Sequence, residues 1–390
     1  MDYQFAPEEE VFRQELVSFI KKELPTGWTG GMDDSSSEDW DVAQQMRKKL
    51  GAKGWLAMAW PKEYGGTGAS FMRQVIFTEE MAYNRCPGKD VFGVRMLGPT
   101  LIIYGTEEQK RRHLGGIARG EVVWCQGFSE PGAGSDLASL STRAVEDGDD
   151  FVVNGQKVWT SGAHHADWMF LLVRTDPNMP KHKGISYLLM NMKSPGVTVR
   201  PLVYMAGYHA FNEVYFDNVR VPKANLVGEK NQGWYVAMAT LNFERSGVEW
   251  SAMGRHTHEE IVDYAKRTRT NGKPLASDPL VRNKLSERAI EIQISRLLAY
   301  RIAWMQSKKL VPDAESSMAK AYGTEMLQRL TLSGLQIMGL PSVIAAGSRW
   351  APLQGRLLRH YLRSFGYTIE AGTSEVQRML IATRGLGLPR

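Results

Sequence analysis

The sequence is poor in cysteine and lacks any long apolar run. Its 390 residues include only two cysteines, Cys86 and Cys125, which are too few for a disulfide framework and too far apart for a CxxC zinc site. Because no stretch of about 18 consecutive apolar residues occurs, we expect no stable membrane insertion. The N-terminus is acidic at Glu8, Glu9 and Glu10, where a secretory signal would be basic and then apolar. We therefore expect a cytoplasmic protein.

The remaining composition is ordinary for a globular protein, but the charge is unevenly distributed. Hydrophobic residues make up 43% of the chain and charged residues 23%, and the length suits two or three domains. Residues 251–390 contain 21 Lys and Arg against 11 Asp and Glu. This excess could be solvated helix faces, or it could meet a phosphorylated small molecule or another anionic partner. The basic residues of this part are scattered, so we do not expect nucleic-acid binding.

Hydrophobic periodicity divides the sequence into three blocks. Helical spacing marks the first block, at 12–20, 40–50 and 71–84. From about residue 122 the apolar or alternating runs have the length of strands, at 168–174, 184–192, 197–203 and 213–221. Helical spacing then returns, at 290–305, 316–338 and 374–383.

This order of helices, sheet and helices predicts an α+β fold. We expect an N-terminal α-helical domain over residues 1–121, a central β domain over 122–231 and a C-terminal helical bundle over 232–390. Within the β domain, Asn154-Gly155 between two apolar segments predicts a β-hairpin with a type I′ turn.

The most unusual local sequence is the loop at 127–136, Gly-Phe-Ser-Glu-Pro-Gly-Ala-Gly-Ser-Asp. Its small residues would let backbone N–H groups approach an anion closely, and Ser129 and Ser135 add hydroxyl donors. A dinucleotide-binding fingerprint would need a third glycine where Leu137 stands. Taken alone, the loop is either a ligand-binding segment or a plain glycine-rich turn.

Together with five other stretches, this loop resembles the signature of the acyl-CoA dehydrogenase family. The other stretches are WPKEYGG at 60–66, YGTEEQK at 104–110, NGQKVWTSG at 154–162, FDNVRVP at 216–222 and GTSEVQR at 372–378. The resemblance runs through nearly the whole chain in the family's order. It also implies the family's architecture of helical domain, β domain and helical bundle.

The resemblance implies a FAD-dependent enzyme that converts an acyl-CoA thioester into a trans-2-enoyl-CoA. Electrons would pass to an electron-transfer flavoprotein, and a homotetramer, or alternatively a heterotetramer, would complete each flavin site. Two other functions stay open: a subunit of a heteromeric acyl-CoA dehydrogenase, and a flavin monooxygenase or oxidase on the same fold. Where relatives often carry Gly-x-Arg-x-Ser, this chain has Gly-Tyr-His-Ala-Phe at 207–211, which favours a branched, cyclic or otherwise bulky acyl group.

The resemblance also assigns cofactor-binding residues. They are Gln126, Phe128, Ser129, Gly134, Ser135, Trp159, Ser161, Arg269, Gln336, Gly339, Thr373 and Glu375. Ser161 replaces the family's usual threonine and keeps its hydroxyl group. Leu340 stands where the family usually has a second glycine near the adenine end of FAD. Arg269 lies one residue beyond the usual arginine that contacts the FAD diphosphate.

The dehydrogenation needs a carboxylate that removes the α-proton, and burial must raise the pKa of this carboxylate. In many family members the base directly precedes the C-terminal Gly-Thr, where this chain has Ala371; Glu370 lies one residue earlier. In isovaleryl-CoA and long-chain dehydrogenases a helical glutamate precedes an arginine, and here Glu244 precedes Arg245. We predict Glu244 as the base, with Glu370 as the alternative.

The remaining predictions concern the substrate and metals. By resemblance, the residues that would contact the CoA thioester are Ser135, Asn242, Arg245, Ala371 and Gly372. The histidine doublet at 164–165 and the pair at 256 and 258 lack further ligands at metal spacing, so we expect no metal site.

Overall fold

The computed structural model of the chain describes residues 5–30, 37–242 and 247–389. Helices come first, strands in the middle and helices last, which confirms the predicted α+β fold. The α-helices are α1 (Pro7–Glu23), α2 (Ser37–Ala52), α3 (Phe71–Tyr83), α4 (Gly98–Tyr104), α5 (Glu107–Ala118), α6 (Gly233–Asn242), α7 (Val248–Arg267), α8 (Pro279–Ser307), α9 (Asp313–Met338), α10 (Arg356–Tyr367) and α11 (Ser374–Leu380).

The strands form one large mixed sheet and a separate small hairpin. They are β1 (Trp124–Gly127), β2 (Arg143–Asp147), β3 (Asp150–Lys157), β4 (Trp168–Arg174), β5 (Ile185–Asn191), β6 (Val197–Leu202), β7 (Phe211–Pro222), β8 (Leu226–Val227), β9 (Arg269–Thr270) and β10 (Lys273–Pro274). The large sheet has the order β6-β7-β3-β2-β4-β5-β8, and β1 pairs in parallel with β4. The strands β9 and β10 pair only with each other.

The large sheet is covered on both faces at β4. Phe170 and Leu172 pack in one buried cluster with residues of the N-terminal helices. Met169, Leu171 and Val173 point to the other face, where they form a second cluster with residues of β3, β5 and β7. Burial on both faces explains why the sequence of β4 is a continuous apolar run and not an alternating one.

The prediction of a hairpin turn at Asn154-Gly155 is wrong. Both residues lie inside β3, and the pairing of β3 with β7 shifts register there. A Cβ at Gly155 would come within 2.7 Å of the Thr142 Cα, so this glycine lets β3 pass close to the backbone before β2, while the irregular pairing lies on its β7 side. The hairpin instead joins β2 to β3, with its turn at Gly148 in the left-handed region.

The long helix α8 is present as predicted, but its apolar face is only partly buried. Ile302 is fully buried, whereas Ile290, Ile294 and Leu297 keep 40–61% of their surface exposed. The three exposed residues follow each other at i, i+4 and i+7 and therefore form one row on the helix surface. Within the described ranges, the helices include none that is both long enough and apolar enough to cross a bilayer.

A buried ion cluster ties the first helical block to the last. Glu79 on α3 is 1% exposed and accepts hydrogen bonds from Arg13 on α1 at 3.0 Å and from Arg296 on α8 at 2.9 Å. The hydroxyl of Tyr300 donates to the same carboxylate at 2.8 Å. A buried carboxylate needs such partners, so the cluster fixes α8 against the N-terminal helices.

Candidate active site

The structure brings together two of the predicted cofactor segments. The amide of Val158 donates to the carbonyl of Ser129 at 3.0 Å. From the end of β3, the ammonium of Lys157 donates to the carbonyl of Phe128 at 3.0 Å. Ser129 therefore lies directly beside the residues that follow β3, Trp159 among them.

A buried ion pair holds the loop after β1 against β3. Lys157 donates to Glu130 at 2.8 Å, and the two side chains are 0% and 5% exposed. The Glu130 carboxylate also accepts from the amides of Ser141 at 2.6 Å and Thr142 at 2.9 Å. Burial alone would raise the pKa of Glu130, but Lys157 and these donors lower it to about 2. Burial lowers the pKa of Lys157 to about 8 against the pull of Glu130, so both groups are charged at neutral pH.

The loop that Glu130 anchors presents an open, donor-rich surface. Gly134 and Ser135 are exposed, and a Cβ at Gly132 or Gly134 would meet no atom within 4 Å. At the base of the loop, the side-chain nitrogen of Gln126 is buried and has no hydrogen-bond partner within the described part of the chain. Buried donors are normally bonded, so Gln126 can serve an incoming acceptor.

Trp159 follows β3 in an unusual conformation. Its φ is +59°, a left-handed value that is uncommon outside glycine and asparagine. Its side chain is 55% exposed, so it is not a core aromatic of the strand, and its ring meets the edge of Phe211 with centroids 5.6 Å apart. Ser161, two residues on, is partly exposed. Both residues can therefore contact a ligand.

Arg363 on α10 connects this region to the C-terminal segment. Its guanidinium lies 5.6 Å from the ring centre of Phe211 and 4.0 Å from that of Tyr367. The same group donates to both carboxylate oxygens of Glu370, at 2.8 and 3.0 Å. A continuous set of contacts thus joins Trp159 to Glu370, and the alternative base is engaged in an ion pair.

The predicted base Glu244 and its neighbour Arg245 lie outside the described residues. Asn242 ends α6, and its side chain is likewise not described. After Gly247, where the described residues resume, Trp250 on the first turn of α7 packs against Tyr367 with ring centroids 4.9 Å apart. The start of α7 therefore reaches the same group of side chains as Arg363.

The C-terminal segment after Glu370 forms a tight turn. Ala371 and Gly372 have φ values of +52° and +88°, and the carbonyl of Gly372 accepts from Lys320 at 2.7 Å. Thr373 caps α11 by accepting from the amide of Val376 at 3.2 Å. Glu375, on the first turn of α11, is exposed, and its own backbone amide and the Thr373 hydroxyl lower its pKa.

Three further predicted cofactor residues make their contacts within the C-terminal block. Arg269 is exposed in the β9–β10 hairpin and donates to the carbonyl of Gly272 at 2.9 Å. Gln336 accepts from Lys284 on α8 at 2.6 Å, and Gly339 is the C-cap that follows α9. These contacts do not join the three residues to Ser129 and Trp159.

Three residues of this region were not predicted from the sequence: His209, Asn212 and Arg363. Asn212 is fully buried and bonds both His209 and His164. The histidine doublet and the unusual 207–211 segment were the only sequence signals that could have pointed to this network. The part of the chain that the structure describes contains no group of three or more His, Cys, Asp or Glu residues that could hold a metal ion.

The chain also matches the models of a known protein family. Models of the N-terminal, middle and C-terminal domains of acyl-CoA dehydrogenase match residues 6–121, 125–219 and 231–386. The chain belongs to the acyl-CoA dehydrogenase family. It is therefore an oxidoreductase of a flavin-dependent family, and the resemblance noted in the sequence is confirmed.

Individual acyl-CoA dehydrogenases resemble the chain over most or all of its length. Acyl-CoA dehydrogenase IpdE1 of Mycobacterium tuberculosis is 40% identical over 359 residues, which cover 90% of each chain. A solved structure of the Tcur3481-Tcur3483 steroid ACAD has a TM-score of 0.91 at 36% identity, covering 100% of both chains. The ChsE4-ChsE5 complex of Mycobacterium tuberculosis has a TM-score of 0.89 at 36% identity, again covering 100% of both.

Proposed function

We propose that the chain catalyses the FAD-dependent α,β-dehydrogenation of an acyl-CoA thioester to a trans-2-enoyl-CoA in the cytoplasm. Electrons then pass to an electron-transfer flavoprotein. The proposal rests on one observation above all: the Ser129 loop, Trp159 and the Arg363–Glu370 pair form one connected region in a chain of this family.

The residues of this region fit a flavin. The unbonded nitrogen of Gln126 and the hydroxyls of Ser129, Ser135 and Ser161 are donors of the kind that flavin carbonyl oxygens and ring nitrogens accept. The exposed ring of Trp159 offers an apolar surface beside them. Phe128, Gly134, Arg269, Gln336, Gly339, Thr373 and Glu375 complete the proposed FAD set.

The ion pair of Glu370 favours Glu244 as the base. Both carboxylate oxygens of Glu370 accept hydrogen bonds from the Arg363 guanidinium, at 3.0 and 2.8 Å, so this carboxylate already has a charged partner. Removing a proton from carbon requires the opposite, a carboxylate whose charged form is destabilised by a dry site. Ala371 carries no acid, so the family's other base position is empty.

Each group then has a separate task in the reaction. Glu244 takes the α-proton of the thioester, while the backbone amide of Ala371 donates to the thioester carbonyl and stabilises the developing enolate oxygen. Bound FAD supplies the acceptor for the hydride that leaves the β-carbon. The breaking of these two C–H bonds creates the α,β double bond. Ser135, Asn242, Arg245 and Gly372 contact the CoA thioester.

We further propose a bulky, ring-bearing acyl group. A solved relative that covers the whole chain is described as a steroid enzyme, and the usual Gly-x-Arg-x-Ser segment is replaced at 207–211 by one that carries His209 and Phe211. A panel of CoA thioesters, from short linear to polycyclic, should bleach the flavin fastest with the ring-bearing members.

A heteromeric assembly is the second candidate, because two solved relatives are each named for two different proteins, Tcur3481-Tcur3483 and ChsE4-ChsE5. The exposed apolar row of α8, and Leu340, which is 87% exposed, are surfaces that a second chain would cover. We propose a tetramer, with this chain contributing the base. The homotetramer is the first candidate and the heterotetramer the alternative, and mass determination of the natively isolated protein distinguishes them.

The assignment of the base is tested by two matched substitutions. Glu244→Gln keeps the shape of the side chain but removes its basicity, so flavin reduction by substrate should slow at least about a hundredfold while FAD remains bound. Glu370→Gln, the control, should cost much less. Anaerobic stopped-flow reduction with the best thioester of the panel measures both rates.

Three outcomes would contradict the proposal at different points. A dead Glu370→Gln variant beside a nearly normal Glu244→Gln variant would move the base to the C-terminal turn. Normal rates in both would exclude α-proton abstraction by either group. Rapid reaction of the reduced flavin with oxygen would favour an oxidase or monooxygenase over a dehydrogenase that waits for a protein acceptor.

A further inference from the structure

We propose that Asn212 is a positioning residue which, together with His164 and His209, fixes the turn at residues 159–161 for the flavin. The inference rests on the proposed flavin site. None of these three residues is expected to touch the cofactor; they act through the backbone of Thr160.

Asn212 holds the peptide of Thr160 from two sides. Its backbone carbonyl accepts from the amide of Thr160 at 3.0 Å. Its side-chain nitrogen donates to the carbonyl of Thr160 at 3.0 Å. Because the same residue bonds both the donor and the acceptor of Thr160, the turn cannot rotate without breaking a buried contact with Asn212, which is 0% exposed.

The amides on either side of the turn are bonded elsewhere: Val158 donates to the carbonyl of Ser129 at 3.0 Å and Gly162 to that of Ala210 at 3.2 Å. Trp159 is in a left-handed conformation, which a non-glycine residue keeps only where its surroundings impose it. The hydroxyl of Thr160 is buried and has no hydrogen-bond partner within the described part of the chain. Between the bonded amides of Val158 and Gly162, Asn212 therefore fixes the orientation of the Thr160 peptide.

The chemistry of the amide fixes the roles of both histidines. A carbonyl can only accept, so the atom of Asn212 that faces Thr160 is the NH₂ nitrogen. This nitrogen also lies 3.1 Å from Nδ1 of His164, which must therefore accept. The amide oxygen lies 2.8 Å from Nε2 of His209, which must carry a proton. Burial lowers the pKa of His164 to about 4, so the ring remains a neutral acceptor at physiological pH.

A stack of rings connects the network to the N-terminal helices. The ring centroids of His209 and His164 are 4.1 Å apart, those of His164 and His165 are 4.0 Å apart, and those of His165 and Trp40 on α2 are 3.8 Å apart. The position of Asn212, and through it that of the turn, is therefore set against a second part of the molecule.

The test compares two buried asparagines that each donate to a backbone carbonyl. Asn212→Asp removes the donor to Thr160, whereas the control Asn225→Asp removes an equivalent donor to the carbonyl of Leu189 at 2.9 Å. Both should lower stability. Only Asn212→Asp should change the visible absorption bands of bound FAD and speed FAD release at least about tenfold, the ratio expected for one lost buried hydrogen bond.

Hydrogen exchange of the flavin-free chain gives a readout that needs no cofactor. The amide exchange of residues 158–162 should accelerate in Asn212→Asp and remain at the wild-type rate in Asn225→Asp. If Asn212→Asp does not fold, His209→Leu is used in its place and should show the same faster exchange and altered spectrum. His209→Gln keeps a donor for the amide oxygen of Asn212 and should therefore have the exchange rate and spectrum of the wild type.

The two proposals fail in different ways. If no chain, wild type included, binds FAD, the proposed cofactor is wrong, and unchanged hydrogen exchange in Asn212→Asp would then also overturn the role of Asn212. If Asn212→Asp binds FAD with the spectrum and release rate of the control, the cofactor stands and the positioning role is overturned.

Discussion

The β-domain segments around Ser129 and Trp159 are held by contacts within one chain, whereas the outer face of the C-terminal helices leaves large apolar side chains uncovered. The first region has a buried ion pair and a buried amide network. The second exposes apolar residues of α8 and of the segments after α9 and α11: Ile290, Ile294, Leu297, Leu340, Val343, Trp350, Leu386 and Leu388.

The difference between these two regions indicates which part of the proposed cofactor site a single chain can form. The segment expected to meet the flavin ring is preorganised, because buried hydrogen bonds within the chain hold the backbone of Val158 and Thr160. The residues expected at the diphosphate and adenine end, Arg269 and Gln336, lie on the exposed surface of the C-terminal block. We therefore expect ring binding to depend on the fold of the single chain and full FAD affinity to depend on assembly.

The largest expected effect comes from breaking the buried ion pair. Lys157→Met leaves Glu130 buried without its cation, which should lower the free energy of unfolding by about 3–5 kcal/mol. The matched control is Lys181→Met, which breaks an exposed ion pair with Asp136 of the same loop; because water screens this pair, the loss of stability should be far smaller. Urea denaturation measures the free energy of unfolding of both variants. Equal losses would show that the buried ion pair does not stabilise the β-domain region more than the exposed pair does.

A pH experiment probes the same self-contained region. His113 is buried between Trp124 and Trp168, and burial lowers its pKa to about 4. Between pH 6.5 and 4 the unfolded chain binds a proton that the folded chain does not, so stability falls as the pH falls through this window. From pH 7 to pH 5 this histidine should account for a loss of about 2 kcal/mol.

The variant that isolates this contribution is His113→Leu. Its free energy of unfolding should decline less steeply than that of the wild type between pH 7 and pH 5, whatever its stability at pH 7. Urea denaturation at the two pH values gives the slopes, and parallel slopes would show that His113 is not kept neutral by burial.

The smallest effect is expected on the exposed region. Ile294→Glu on α8 should raise the dissociation constant of the assembly at least about tenfold, since it places a charge in an apolar contact, and FAD content should fall with it. Val145→Glu on β2, which alters a similarly exposed apolar residue of the β domain, should leave both unchanged. Light scattering and the flavin-to-protein absorbance ratio measure the two quantities. An intact, flavin-loaded assembly of Ile294→Glu would mean that α8 does not face a partner.

Much of the fold could be predicted from the sequence, because periodicity reports burial. The strand prediction at 168–174 is confirmed by β4 and that at 213–221 by β7. The hairpin at Asn154 failed because the same dipeptide that favours a tight turn also permits a bulge. Only the approach of Thr142 to Gly155, a contact between distant segments, decides between them.

The site was partly predictable for a related reason. Ser129 and Trp159 stand in motifs that can be read from local sequence, whereas Asn212 and Arg363 act through long-range contacts that leave no local pattern. Helical periodicity correctly placed Ile290 and Leu297 on one face of α8, but it does not reveal whether an apolar face meets the core or a partner. The bases Glu244 and Glu370 remain predictions.

The ion cluster at Glu79 has a consequence for how the protein is made. Arg13 is synthesised before Glu79, but Arg296 follows 217 residues later. At about 5–20 residues per second on the ribosome, the N-terminal helices wait roughly 10–40 s for that partner. During biosynthesis these helices carry the Glu79 carboxylate before its partner on α8 exists. The first helical block should therefore complete its packing only after α8 has emerged from the ribosome. Nascent chains arrested before Arg296 should be more sensitive to protease than full-length chains.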